Sequence, residues 1–120
     1  VNDRYKNDMK DILDNKIAPT NYRFVMAKGY EYQGQPIVVS EYGGFKLAGT
    51  EGWGYDGEAK DAEDLVRKYD KITSAYKKME KVCGFCYTQL TDVYHETNGL
   101  MSFDRTPKVP LKEIKKINER

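Results

Sequence analysis

Leu65, Tyr69, Ile72, Tyr76 and Met79 recur at i, i+4, i+7, i+11 and i+14 among mostly polar residues. That single apolar stripe predicts an amphipathic helix of roughly twenty residues. A weaker stripe of the same kind, Tyr5, Met9, Ile12 and Leu13, predicts a short first helix capped by Asp3 and ended by Ala18-Pro19-Thr20-Asn21. Two segments carry the opposite signal. Ile37-Val38-Val39 runs into Ser40 and Glu41, and residues 83–90 are aromatic and β-prone, so both predict strands. Pro110 opens a last helix with Leu111, Ile114 and Ile117 inward. Residues 22–27 are a candidate extended segment, and residues 30–35 read as a polar loop delivering the chain to Pro36. The order is helix, strand, helix, strand, helix.

The middle of that order is a βαβ unit, which predicts an α/β fold with parallel strands covered by helices. Two parallel strands cannot close a core. Their neighbours come from a missing part of the chain, from another copy, or from residues 22–32. With no internal repeat, low-complexity tract or domain boundary, residues 1–120 read as a single partial domain.

Residues 43–57 hold six glycines among fifteen positions, and loops of that length inside compact domains usually carry function. The chain has 20 Lys plus Arg against 19 Asp plus Glu, a balance that supplies neither a basic field for nucleic acid nor an acidic tail. Charged residues make up 32% and hydrophobic ones 39%, with ten tyrosines, so the chain is too aromatic for a disordered one. No apolar run reaches the ~20 residues of a membrane span. Val1-Asn2-Asp3-Arg4 has no signal-peptide layout, and a leader removed upstream is compatible with the missing initiator Met. No nucleic-acid or membrane partner is expected.

Glu41 is the residue to explain, because a carboxylate at the C-terminal end of a parallel strand stands where barrel enzymes keep their chemistry. The bland alternative is a solvated or ion-paired strand-end residue. Trp53 and Tyr55 either stack on a sugar face or anchor the glycine-rich loop. Tyr42 either positions Glu41 through its hydroxyl or fills space. Asp92, His95 and Glu96 follow the second strand, where functional loops belong, but polar loop residues are ordinarily solvated.

Cys83 and Cys86 have the C-x-x-C spacing of a thiol redox site, yet that chemistry wants the first Cys at a helix N-terminus, and this segment reads as a strand. Positions i and i+3 of a strand face opposite ways, so two buried, reduced cysteines are expected. His95 is the sole histidine, too few ligands for a zinc site, and no cofactor is required. Gly52-Trp53-Gly54-Tyr55-Asp56-Gly57 matches G-x-G-x-x-G, but no strand feeds it and Trp53 would obstruct a pyrophosphate.

Two longer motifs change the balance. Pro36-Ile37-Val38-Val39-Ser40-Glu41-Tyr42-Gly43-Gly44 and Gly84-Phe85-Cys86-Tyr87-Thr88-Gln89-Leu90-Thr91-Asp92, followed by Asn98-Gly99-Leu100 and Asp104-Arg105-Thr106-Pro107, resemble the C-terminal barrel portion of glycoside hydrolase family 2. The resemblance covers roughly residues 22–110 and includes Gly52-Trp53-Gly54. It implies a fragment of a (β/α)8 TIM barrel, about strands seven and eight with their helices, from a retaining β-glycosidase, with β-galactosidase the foremost activity. It also implies that Glu41 is the catalytic nucleophile, and that Tyr87 stands where the family usually presents a Trp to the sugar. Tyr42 and Trp53 complete the expected substrate contacts.

A retaining glycosidase needs a second carboxyl group about 5–5.5 Å from the first, to protonate the leaving oxygen and then serve as base. The family's acid/base Glu follows an Asn far upstream. Asn118-Glu119 is the one Asn-Glu pair here, but it lies in a Lys-rich terminal helix, and Glu31 and Glu96 fall outside the acid motif. The expectation is therefore a truncated barrel, inactive alone, whose partners are a β-glycoside and either the rest of the barrel or another copy of the chain. The competing class is a non-catalytic domain that self-associates through its open strand edges. A thiol oxidoreductase using Cys83 and Cys86 is the third.

Overall fold

The computed structural model describes residues 4–18 and 23–120, with helix side chains described from Met9 onward. The chain divides at Pro36, the delivery point into the first strand, into two compact units, Val1–Pro36 and Ile37–Arg120.

In the first unit, helix α1 spans Arg4–Leu13 and buries Ile12 and Leu13. The expected cap Asp3, the Tyr5 side chain and the terminator Pro19-Thr20-Asn21 lie outside the described residues. Past the helix, Asn15 adopts a left-handed φ of 55°, which Asn tolerates better than most residues. Its amide clasps Met26 from both sides, donating to the carbonyl at 2.8 Å and accepting from the N–H at 3.1 Å. That clasp satisfies the backbone of Met26 from a side chain, and residues 24–27 form no strand. The polar segment 30–35 is irregular, as its composition predicts.

The second unit holds β1 (Ile37–Tyr42), β2 (Lys46–Leu47), β3 (Glu58–Ala59), α2 (Ala62–Lys77), β4 (Val82–Tyr87) and α3 (Leu111–Glu119). Strands β1 and β4 pair in parallel through the α2 crossover, so the βαβ unit is present. Strands β2 and β3 make a second parallel pair. Each sheet has two strands, and the described residues contain no closed barrel.

Helix α2 begins where Asp61 accepts the Asp64 N–H at 2.8 Å, which satisfies one of the orphan donors of the first turn. It has 16 residues, short of the roughly twenty predicted, because Met79 packs its buried side chain from beyond the helix end. Leu65, Tyr69 and Ile72 face the core with Tyr42, Phe45, Ala59, Leu100, Val109, Ile114 and Ile117. Tyr69 also donates to Asn118 of α3 at 2.8 Å. Leu111, expected inward, is exposed. Strand β4 ends at Tyr87, before the predicted Leu90, and the next peptide, Thr88–Gln89, is cis.

Candidate active site

The register of β1 against β4 determines where Glu41 points. From Val39 to Tyr42 strand β1 advances three residues, while its partner advances two, from Phe85 to Tyr87. Ser40 and Glu41 together therefore oppose Cys86, a β-bulge of the kind that re-aims side chains beside functional sites. Strict alternation from Ile37 and Val39 would send Glu41 inward. With the bulge both Ser40 and Glu41 are exposed and Tyr42 returns to the core.

Tyr42 is accordingly a packing residue. Its hydroxyl and that of Thr73 on α2 share a hydrogen bond of 2.7 Å, and its ring meets Tyr76, Phe85 and Tyr87 edge-on at 5.0, 6.0 and 5.6 Å. Burial pushes its phenol well above the ordinary tyrosine range. The hydroxyl is therefore committed to Thr73 on α2 and not to positioning Glu41. Tyr87 lies beside it. Its ring meets Tyr69 at 5.0 Å, its hydroxyl accepts the Phe45 N–H at 3.4 Å, and burial raises its phenol to about 12. Tyr87 supports the start of the glycine-rich loop from below.

That loop is more ordered than its composition predicts. It contains β2, and Lys46 bridges the loop to Glu58 of β3 at 3.0 Å. The Gly44 carbonyl accepts the Tyr55 N–H at 2.9 Å. With φ of 88°, and with Tyr55 and the Asn98 amide where a Cβ would be, Gly44 is the residue this approach requires. Trp53 and Tyr55 then stand edge to face with centroids 5.0 Å apart, and are 46% and 58% exposed. The Trp53 backbone donates to His95 O at 2.8 Å and accepts from Thr97 N at 2.9 Å, tying the loop to the segment after β4. Gly52 permits that seam, since a Cβ there would strike the His95 carbonyl.

Electrostatics link the same residues. The Tyr55 phenol is raised first by local desolvation and then by the negative charges of Glu96 and Glu41. Glu41 and Glu96 each lie near enough to Tyr55 for their charge to act on it, and a backbone bridge sets Trp53 beside Glu96. His95 is exposed and Glu96 half-buried.

The segment after β4 is held by groups whose roles sequence reasoning missed. Asp92 and Lys108, both about 8% exposed, form an ion pair of 2.6 Å. Asp92 also accepts the Gly99 N–H at 2.8 Å, and Lys108 donates to Thr97 O at 3.0 Å. Fully buried Asn98 accepts from the Gln89 amide at 3.2 Å, and Gln89 also donates to Glu96 O at 3.4 Å. This polar neck fixes the position of Glu96. The one sequence signal was an Asp and a Lys at the two ends of a polar segment, which does not specify a pair.

Other candidates fall elsewhere. Cys83 and Cys86 are free and exposed, contrary to the expected burial. Cys83 occupies a second bulge, since β4 advances two residues from Val82 to Gly84 while β1 advances one, and Cys86 opposes the Glu41 bulge on a sheet face that nothing covers in this unit. Asn118 serves the α2–α3 contact and Glu119 pairs with Lys115 at 3.5 Å. Glu31 belongs to the first unit. A cleft of about 570 Å³ between α2 and α3, lined by residues such as Val66, Asp70 and Arg120, contains none of the predicted site residues. Among the described residues no cluster of His, Cys, Asp and Glu could hold a metal ion, and no helix is long and apolar enough to cross a membrane. No protein-family model matches the chain, and no curated protein matches it.

Proposed function

We propose that the chain is the C-terminal part of the catalytic barrel of a retaining β-glycosidase, a β-galactosidase foremost, in which Glu41 is the nucleophile. The observation that carries this reading is the bulge at Ser40–Glu41, which turns a strand-end carboxylate out of the core. In the reaction a Glu41 oxygen attacks the anomeric carbon, the bond to the leaving oxygen breaks, and a second carboxylic acid gives that oxygen its proton. The same second group then takes a proton from water as the water displaces Glu41. That group is expected upstream of this segment, so the 120-residue chain alone is inactive. Trp53 and Tyr55 offer the sugar its stacking surface, while Tyr42 and Tyr87 pack edge-on against each other at the end of β1.

The test is hydrolysis of a panel of aryl β-glycosides by this chain and by any longer form of the gene product, each with Glu41→Gln. The expected result is an inactive short chain and a longer form that loses activity on the order of 10⁴-fold in the variant. Full activity of Glu41→Gln in the longer form would overturn the reading.

A second reading, a self-associating non-catalytic domain, draws on the two-stranded β1–β4 sheet, whose outer edges lack strand partners among the described residues and whose Val38 is 60% exposed. A dimeric chain with no glycosidase activity at any length supports it.

A further inference from the structure

We infer that Tyr94 and Phe103 form a second aromatic platform that stacks on a sugar ring beyond the one at Glu41, so that the substrate class is a β-linked oligosaccharide. This rests on the proposed glycosidase reading for its direction. Tyr94 is 83% exposed and Phe103 66%, with ring centroids 5.9 Å apart and planes tilted by 40°. Neither exposure comes from a loose loop. Val93 and Glu96 exchange both backbone hydrogen bonds, at 3.0 and 2.9 Å, so Tyr94-His95 is the tip of a two-residue hairpin. Tyr94 sits there at φ 50°, uncommon for a bulky residue and suited to the primed turns of such hairpins. Phe103 is presented by an equally closed turn. Ser102 N donates to Thr106 O and Arg105 N to Ser102 O, each at 2.9 Å, while the Asp104 carboxylate accepts from the Ser102 hydroxyl and from Thr106 N at 3.3 Å.

Area decides what such a surface can hold. Two aromatic rings offer roughly 150–250 Å² each. Even with exposed Leu90 and Val93 added, the apolar area is a few hundred Å², below the about 800 Å² per partner of a stable protein interface. It matches one or two sugar rings, whose C–H faces pack on aromatic faces and whose hydroxyls find the exposed His95, Asp104 and Arg105 nearby in the chain. The position fits as well. The hairpin that presents Tyr94 is the one whose His95 carbonyl and Thr97 N–H grip Trp53.

The experiment titrates the 120-residue chain, wild type and Tyr94→Ala, Phe103→Ala and Tyr94→Phe, with β-linked di- and tetrasaccharides of glucose, galactose and mannose, following amide NMR shifts. One tetrasaccharide is expected to bind more tightly than its disaccharide, with each Ala variant weakening it about three- to ten-fold while sparing the disaccharide. Tyr94→Phe is expected to retain wild-type affinity. Equal affinities for both lengths, no binding of either, or shifts tracing self-association that Phe103→Ala abolishes would overturn the platform. If the chain-length preference falls with Tyr94 while the longer gene product hydrolyses glycosides without Glu41, the platform stands and the nucleophile reading fails. If Glu41 is essential and the preference ignores Tyr94, the reverse holds.

Discussion

Glu41 and Tyr42 are consecutive on one strand, and they belong to opposite sides of the molecule. Tyr42 is 6% exposed, ringed by Tyr76, Phe85 and Tyr87 and bonded to Thr73. Glu41 is exposed, and its charge reaches the Tyr55 phenol. A single inserted residue in the register decides which of the two faces the core. One side of β1 holds the fold together and the other is left available for chemistry, so substitutions at these two positions separate stability from function.

The largest expected effect tests that separation. Tyr42→Ala empties an aromatic site in the core and is expected to lower unfolding stability by about 3–5 kcal/mol. Glu41→Gln should stay within about 0.5 kcal/mol of wild type. Denaturant unfolding followed by circular dichroism reads both. Equal losses would mean that Glu41 is structural and that the two sides of the bulge are not distinct.

The neck of the following loop sharpens the comparison from the functional side. Lys108→Met leaves Asp92 buried without its cation, at a cost of about 3 kcal/mol. The chain has one tryptophan, so fluorescence reports Trp53 directly, and its emission should shift as the 95–97 seam loosens. Pairing Lys108→Met with Asp92→Asn should recover much of the stability. Unchanged emission in Lys108→Met would show that the neck does not position the Trp53 wall.

Periodic features of this fold were legible in the sequence, and features that depend on a partner's register were not. The α2 stripe and the β-branched run at Ile37 are local signals, and both elements formed. The β1 bulge is a relation between two strands whose paired ends, Ile37 with Val82 and Tyr42 with Tyr87, lie far apart in the chain. Its one trace is the apolar-polar-polar-apolar order Val39-Ser40-Glu41-Tyr42, which breaks a period of two. Strands β2 and β3 have two residues each and pair across the glycine-rich loop, too short for any pattern. Cys83 and Cys86 misled because burial of an apolar strand presumes that both faces of its sheet are covered. Glu41 itself was legible as a position, whereas the placing of Glu96 beside Trp53 needed the seam between Trp53 and residues 95–97.

The smallest expected effect comes from alkali, and it again divides the two sides. Burial raises the phenols of Tyr42 and Tyr87 in the fold, Tyr87 to about 12, while an unfolded tyrosine ionises near pH ~10. A group whose folded value is raised stabilises the fold fully below its unfolded value and loses that contribution as pH rises through the folded one. Stability should therefore be flat to about pH 10 and then fall, by on the order of 1–2 kcal/mol for Tyr87 across the next two units. Tyr87→Phe removes the titrating group and should shrink that alkaline decline, because the ring keeps its contacts with Tyr42 and Tyr69 and loses the hydroxyl's bonds to the backbone at Gly44 and Phe45. Tyr55→Phe, on the exposed side, should leave the decline nearly as it is. Matching changes from the two variants, measured by chemical unfolding at a series of pH values, would place Tyr55 among the groups that hold the fold and erase the distinction drawn at Glu41 and Tyr42.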